Sequence, residues 1–178
     1  MKKIARPIET EYALYYEKFI NLVDRERSVL DQLKTNAKEI ESKLLSLTKQ
    51  ELETSYEAGK WTIKDIIQHL VDCERVYIYR AMRFARNDKM PLPFFDENEF
   101  ARQANANLMS IKKILKEYKT ARQASIAFFS NQSNLVLKRV GMASQASMSV
   151  RACAWIICGH ELHHWKMIQE KYLKLDIQ

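Results

Sequence analysis

Glycine and proline are scarce, with three of each in 178 residues. Turn-rich β architectures need such breakers at short intervals. Their scarcity argues against that class and favours long, uninterrupted helices. Cysteine is equally sparse: Cys73, Cys153 and Cys158 are odd in number, lack C-x-x-C spacing and sit among apolar neighbours. That pattern fits small core residues in a reducing compartment rather than a disulfide framework. No long hydrophobic run follows the opening MKKIARPIET, which carries two lysines and no apolar stretch behind them. It reads as neither a signal peptide nor a transmembrane segment, so the expected location is the cytoplasm.

What is present is a core: 47% of residues are hydrophobic, enough for one folded domain over 1–178 with residues 1–27 as an N-terminal arm. The formal charge is +7, from 29 basic and 22 acidic residues. Basic and acidic residues alternate along the chain, and neither a lysine tail nor an RNA-binding aromatic signature is present. Solvated helix faces account for the charge better than a nucleic-acid partner does.

Apolar residues spaced by threes and fours predict four long helices. The first carries Val29, Leu30, Leu33, Ala37, Ile40, Leu44 and Leu47. The second opens at Thr62, a candidate cap with Asp65 three residues on, and runs to about Arg86. The third runs from near Ser110 through Phe129. The fourth opens at a Ser147 or Ser149 cap and reaches about Leu173. A single turn is expected at Lys49 to Leu52. Asn87 to Glu97 is a proline-bearing loop, lying over a cavity or over the core. Asn98 to Asn107 is ambiguous, Asn131 to Ser147 is polar and irregular, and no stretch reads as a sheet. The expected fold is all-α, an antiparallel four-helix bundle. The aromatic arm, with Tyr12, Tyr15, Tyr16 and Phe19, could serve a homodimer interface.

Three of the four histidines fall in GHELHHW, Gly159 to Trp165. His160 and His164 are four apart and project from one helix face about 40° apart, so both can reach one metal ion. His163 is about 100° from His164 and does not join them. H-E-x-x-H is also spelled here, but the downstream ligand of a zinc protease is missing: Met167 and Glu170 stand where the extended motif needs Gly and His. His69 is the better third ligand. It shares an inward stripe with Ile66, Cys73 and Val76 on the second helix.

The chain resembles the DinB/YfiT-like family of four-helix-bundle metalloenzymes. The residues that carry the resemblance are Gly59-Lys60-Trp61-Thr62-Ile63, His69-Leu70-Val71-Asp72 with Glu74-Arg75, Tyr79 to Arg86, and Leu92-Pro93 with Phe95-Asp96. Further on are Ala104-Asn105-Ala106-Asn107, Ser149 to Ala152 and Gly159 to His164. The resemblance implies a three-histidine site at His69, His160 and His164. It also implies an activity on a small molecule, either hydrolysis or the transfer of a low-molecular-weight thiol. Some relatives place a tryptophan-bearing segment between the third and fourth helices; Asn131 to Ser147 has none.

Zinc is the default ion for three imidazoles, with nickel, manganese and iron also accepted. Candidate general bases are Glu161, Asp72 and Glu74. Arg80 and Arg83, in a basic run with Arg86, are candidates to hold an anionic substrate group. The alternative function is a metal-binding stress-response or interaction protein without catalysis.

Overall fold

Long helices form where the apolar period is unbroken, and short ones where polar caps interrupt it. The computed structural model describes residues 2–174. In chain order it contains α1 (Glu17–Ile20), α2 (Val29–Leu45), α3 (Lys49–Glu53), α4 (Ile63–Ala85), α5 (Glu97–Ala104), α6 (Ile111–Ser130) and α7 (Asn134–Leu137). A hairpin follows, β1 (Val140–Ala143) and β2 (Ala146–Ser149), and then α8 (Val150–Met167). The four long helices match the expected bundle. The expected start of the second is set by a capping box, in which Thr62 and Asp65 satisfy each other's backbone amides. Ser149 caps α8 through the amide of Ala152. The turn expected after Thr48 is α3, which also opens on a capping box.

The bundle is square. α4 packs on α6 and α8, and α2 packs on the same two helices, so α2 and α4 lie across a diagonal. One apolar cluster joins the start of α2 to the ends of α4 and α6 and the start of α8, through Leu30, Phe84, Phe129 and Trp155. A second joins the end of α2 to the starts of α4 and α6, through Ile40, Ile66 and Ile114, with Ile168 just beyond α8. The helices therefore run up, down, down, up. α4 is antiparallel to α8 and α2 to α6, while α4 and α6 run the same way. The long connection 86–110, which carries α5, returns the chain to the top between α4 and α6.

Two segments depart from expectation. The ambiguous stretch after Glu97 forms a helix, opened by the Asp96 carboxylate accepting from Asn98 and Glu99. The irregular stretch before α8 contains the hairpin, so the expectation of no sheet is corrected. Its two-residue turn, Ser144 and Gln145, has φ of 53° and 64°. Tight hairpins need this backbone hand, which glycine or asparagine normally supplies. Here two ordinary side chains adopt it, at about 1–2 kcal/mol each. Leu92 of the proline loop bridges to Ala143, which ties that loop to the hairpin. Gly141 lies under the Phe84 ring, and a Cβ there would fall 1.9 Å from it.

The N-terminal arm packs on its own bundle. Ile4, Tyr12, Phe19 and Ile20 are buried. Trp155 donates its Nε1–H to the Ile4 carbonyl, and Arg151 donates to the Glu11 carboxylate, as does the Ser149 hydroxyl. Among the described residues no helix is long and apolar enough to cross a membrane.

Candidate metal centre

His69 stands two turns into α4, and His160 and His164 stand one turn apart on α8. Because the two helices run antiparallel in contact, the three rings meet between them. His160 Nε2 is 3.2 Å from His69 Nε2 and 3.0 Å from His164 Nε2. One ligand nitrogen from each ring lies within 4.8 Å of the other two. His163 is outside this group, as its angular offset requires; its exposed ring packs on Phe19 instead.

The surroundings hold the rings in place. Trp61 precedes the Thr62 cap, and its ring lies over His69 at 4.7 Å and near-parallel to His164 at 6.5 Å. The Tyr172 hydroxyl donates to the Trp61 carbonyl from the turn beyond α8. On the other side the Phe19 ring meets His160 edge-on at 5.2 Å. That approach depends on Gly159: a Cβ there would sit 2.0 Å from the Phe19 carbonyl oxygen. The residue before His160 must therefore be glycine for the arm to close this wall.

Burial strips the histidines of charge. It pulls the His69 pKa down to about 4 and that of His164 to about 3. His160 is held well below the usual imidazole value by burial first, then by His164 and His69. All three rings are neutral at pH 7, the form that binds a metal ion. A tetrahedral ion with bonds of 2.0–2.1 Å to nitrogen spaces its ligands about 3.3–3.4 Å apart. The observed 3.0 and 3.2 Å separations are within a few tenths of that. The donor set fits a divalent ion, and no carboxylate belongs to it.

The three rings open into a cavity of 490 Å³. The arm contributes Tyr16 and Phe19 to its wall, and the proline loop contributes Phe94 and Phe95, so that loop does lie over a cavity. α4 supplies a stripe: His69, Cys73, Tyr77 and Arg80 all line it. The Cys73 Sγ is 3.6 Å from both ring nitrogens of His69. Ser144, at the hairpin tip, accepts a 2.9 Å hydrogen bond from Arg80 Nη2.

Other residues singled out in the sequence lie elsewhere. Glu161 is buried on another side of α8, where it accepts from the Tyr118 hydroxyl and from Arg122. Glu74 is bound to the same arginine. Asp72 is partly buried beside Gln68 and Arg75, and burial raises its pKa. None of these three carboxylates lines the cavity. Arg83 is turned to Asp88 and Tyr79, also off the cavity wall. Cys73 and Tyr77 were legible as continuations of the His69 stripe at i+4 and i+8. Trp61 and Phe19 stood out in the sequence only in the family resemblance and the aromatic arm, and Ser144 not at all, because tertiary packing brings them to the site.

Known proteins resemble this chain in sequence and fold. A family model described as the DinB superfamily matches residues 32–168. A protein of Oceanobacillus iheyensis named "Putative metal-dependent hydrolase" is 27% identical over 142 residues, which cover 76% of this chain and 78% of the relative. A protein of the same name from Geobacillus thermodenitrificans is 30% identical over 69 residues, 39% of each chain. Among solved structures, YfiT from Bacillus subtilis aligns over 94% of this chain and 91% of its own, with a TM-score of 0.69. It is described as a probable metal-dependent hydrolase with an unusual four-helix bundle topology. At 18% identity that likeness speaks for the fold alone.

Proposed function

Since this chain belongs to the DinB superfamily, we propose that it is a divalent-metal enzyme acting on a small molecule, with hydrolysis as the first reading. The observation that carries the proposal is the convergence of three neutral imidazole nitrogens at the floor of a 490 Å³ cavity. His69, His160 and His164 hold the ion, zinc or nickel before manganese or iron. A divalent ion held there supplies Lewis acidity, which acidifies a water or a thiol and polarises a carbonyl. Trp61 and Phe19 fix the rings and keep bulk water from two sides of the cluster. Tyr77 and Arg80 meet the molecule on the α4 wall. The curated relatives carry hydrolysis in their names.

One feature favours a second reading, transfer of a low-molecular-weight thiol. Glu161, Asp72 and Glu74 do not line the cavity, and Glu97, which does, is exposed on α5. Water activation benefits from a protein base close to the ion. A thiol, with a free pKa near 8.5, ionises without one. Three free, buried cysteines support a reducing compartment, the cytoplasm.

Elemental analysis of the purified protein tests the site. Wild type should carry about one divalent ion per chain and His160→Ala almost none. Equal metal in the two proteins would end the proposal. Turnover of esters and amides without added thiol supports hydrolysis. Turnover only with a thiol and an electrophile supports transfer.

A further inference from the structure

Four cations are buried among the described residues: Lys64, Arg80, Arg122 and Arg151. Three have carboxylate partners. Lys64 is 2.7 Å from Glu53, Arg122 grips Glu74 and Glu161, and Arg151 grips Glu11. Arg80, only 2% exposed, has none among the described residues. Its Nη2 donates to the Pro93 carbonyl and to Ser144 Oγ. The Tyr77 and Phe95 rings flank the guanidinium, each centroid 5.8 Å away. Neither neutral acceptors nor ring faces neutralise a buried charge. Glu97 lines the same cavity but makes no ion pair with Arg80.

A buried cation without a counter-charge costs stability, a cost that proteins accept where function uses the group. Arg80 lines the cavity, and its Nε–H and Nη1–H groups have no acceptor among the described residues. We infer that Arg80, oriented by Ser144 and the Pro93 carbonyl, binds a carboxylate of the substrate. This deepens the proposed function and rests on it for the word substrate. A carboxylate is preferred to a phosphate because one guanidinium, with the Glu97 side chain lining the same cavity, matches a group carrying one negative charge better than a group carrying two.

The site also sets a length. Arg80 follows His69 by three helical turns on one α4 stripe, about 16 Å along the axis. The arginine side chain leans back toward the helix start and shortens that gap. The substrate class is therefore an elongated molecule. Its carboxylate and its reacting group are separated by on the order of 10 Å.

Succinate is a simple probe, read by isothermal titration calorimetry of three proteins: wild type, His160→Ala and Arg80→Gln. Saturable binding is expected in wild type and in metal-free His160→Ala, weakened about tenfold or more in Arg80→Gln. Binding in His160→Ala separates this inference from the metal proposal, because either can fail alone. Arg80→Gln should melt no lower than wild type, since it removes an uncompensated buried charge. Ser144→Ala should weaken succinate by a smaller factor and leave the fold intact. Equal succinate binding in Arg80→Gln, or no saturable binding in wild type, overturns the inference. A marked loss of stability in Arg80→Gln would assign the arginine to the architecture and overturn it as well. Tighter binding of inorganic phosphate than of succinate overturns the choice of carboxylate.

Discussion

α8 separates two buried polar clusters with opposite characters. On one side His69, His160 and His164 point nitrogen at nitrogen beside a cavity, with no acid among them. On another side Arg122 binds Glu74 at 3.0 Å, Glu161, and the Leu33 carbonyl at 2.8 Å, while the Tyr118 hydroxyl donates to Glu161. This second cluster links α2, α4, α6 and α8 and is sealed: Arg122, Glu74 and Glu161 are each at most 3% exposed. Both clusters are costly to desolvate. The arginine cluster is held by partners within the chain, so it belongs to the architecture. The histidine cluster and Arg80 have no acid partner among the described residues, which is the pattern expected of the proposed ligand sites.

The largest expected effect breaks the sealed cluster. Burial works against the Arg122 charge, and Glu161 and Glu74 overcome it. Arg122→Ala leaves two carboxylates in a dry interior and should cost about 3–5 kcal/mol of unfolding free energy, measured by urea denaturation of the metal-free protein. A loss below about 1 kcal/mol would mean the cluster is not the architectural one.

The next effect is on the histidine side and depends on pH. An unfolded imidazole titrates near pH 6.5, whereas His69 and His164 are held to about 4 and about 3. As pH falls below 6.5 the unfolded chain takes up protons that the native one refuses. Stability of the metal-free protein therefore falls with pH, by about 1.4 kcal/mol per unit for each such ring until its folded pKa is reached. Urea midpoints at pH 7, 6 and 5 in chelator should show this slope, and His69→Gln should make it shallower by one ring's share. A flat profile would mean the rings are open to water.

Much of this contrast was legible in the sequence, and the remainder had physical reasons for being hidden. The four helices followed from an apolar period that few glycines or prolines interrupt. His69 and the His160/His164 pair followed from helix spacing. That Glu161, a base candidate, lies off the cavity also had a signal: it sits about 100° round the helix from His160, far enough to face α6. The hairpin was hidden because its turn is Ser144-Gln145 rather than a glycine or asparagine pair. The up-down-down-up order was also hidden, since periodicity carries no direction. Nor could spacing separate Arg80 from Arg83; the proline loop and the hairpin, joined at Leu92, cover one and leave the other beside Asp88.

The smallest expected effect sharpens the boundary between the two clusters. Asp72 follows His69 by three residues, which made it a candidate base. In the fold it accepts from Gln68 Nε2 at 3.2 Å and Arg75 Nη1 at 3.4 Å, on a flank of α4 that belongs to neither cluster. Arg75 is itself exposed and also reaches Glu117, so the pair is weak and screened. Burial already raises the Asp72 pKa, which means that its charge is only partly supported. Asp72→Asn keeps the shape and the hydrogen bond from Gln68. It should change unfolding free energy by no more than about 0.5 kcal/mol and leave metal content unchanged. If Asp72→Asn instead emptied the metal site while the protein stayed folded, the carboxylate would be acting on His69. The histidine cluster would then have an acidic partner after all, and the division drawn across α8 would fail.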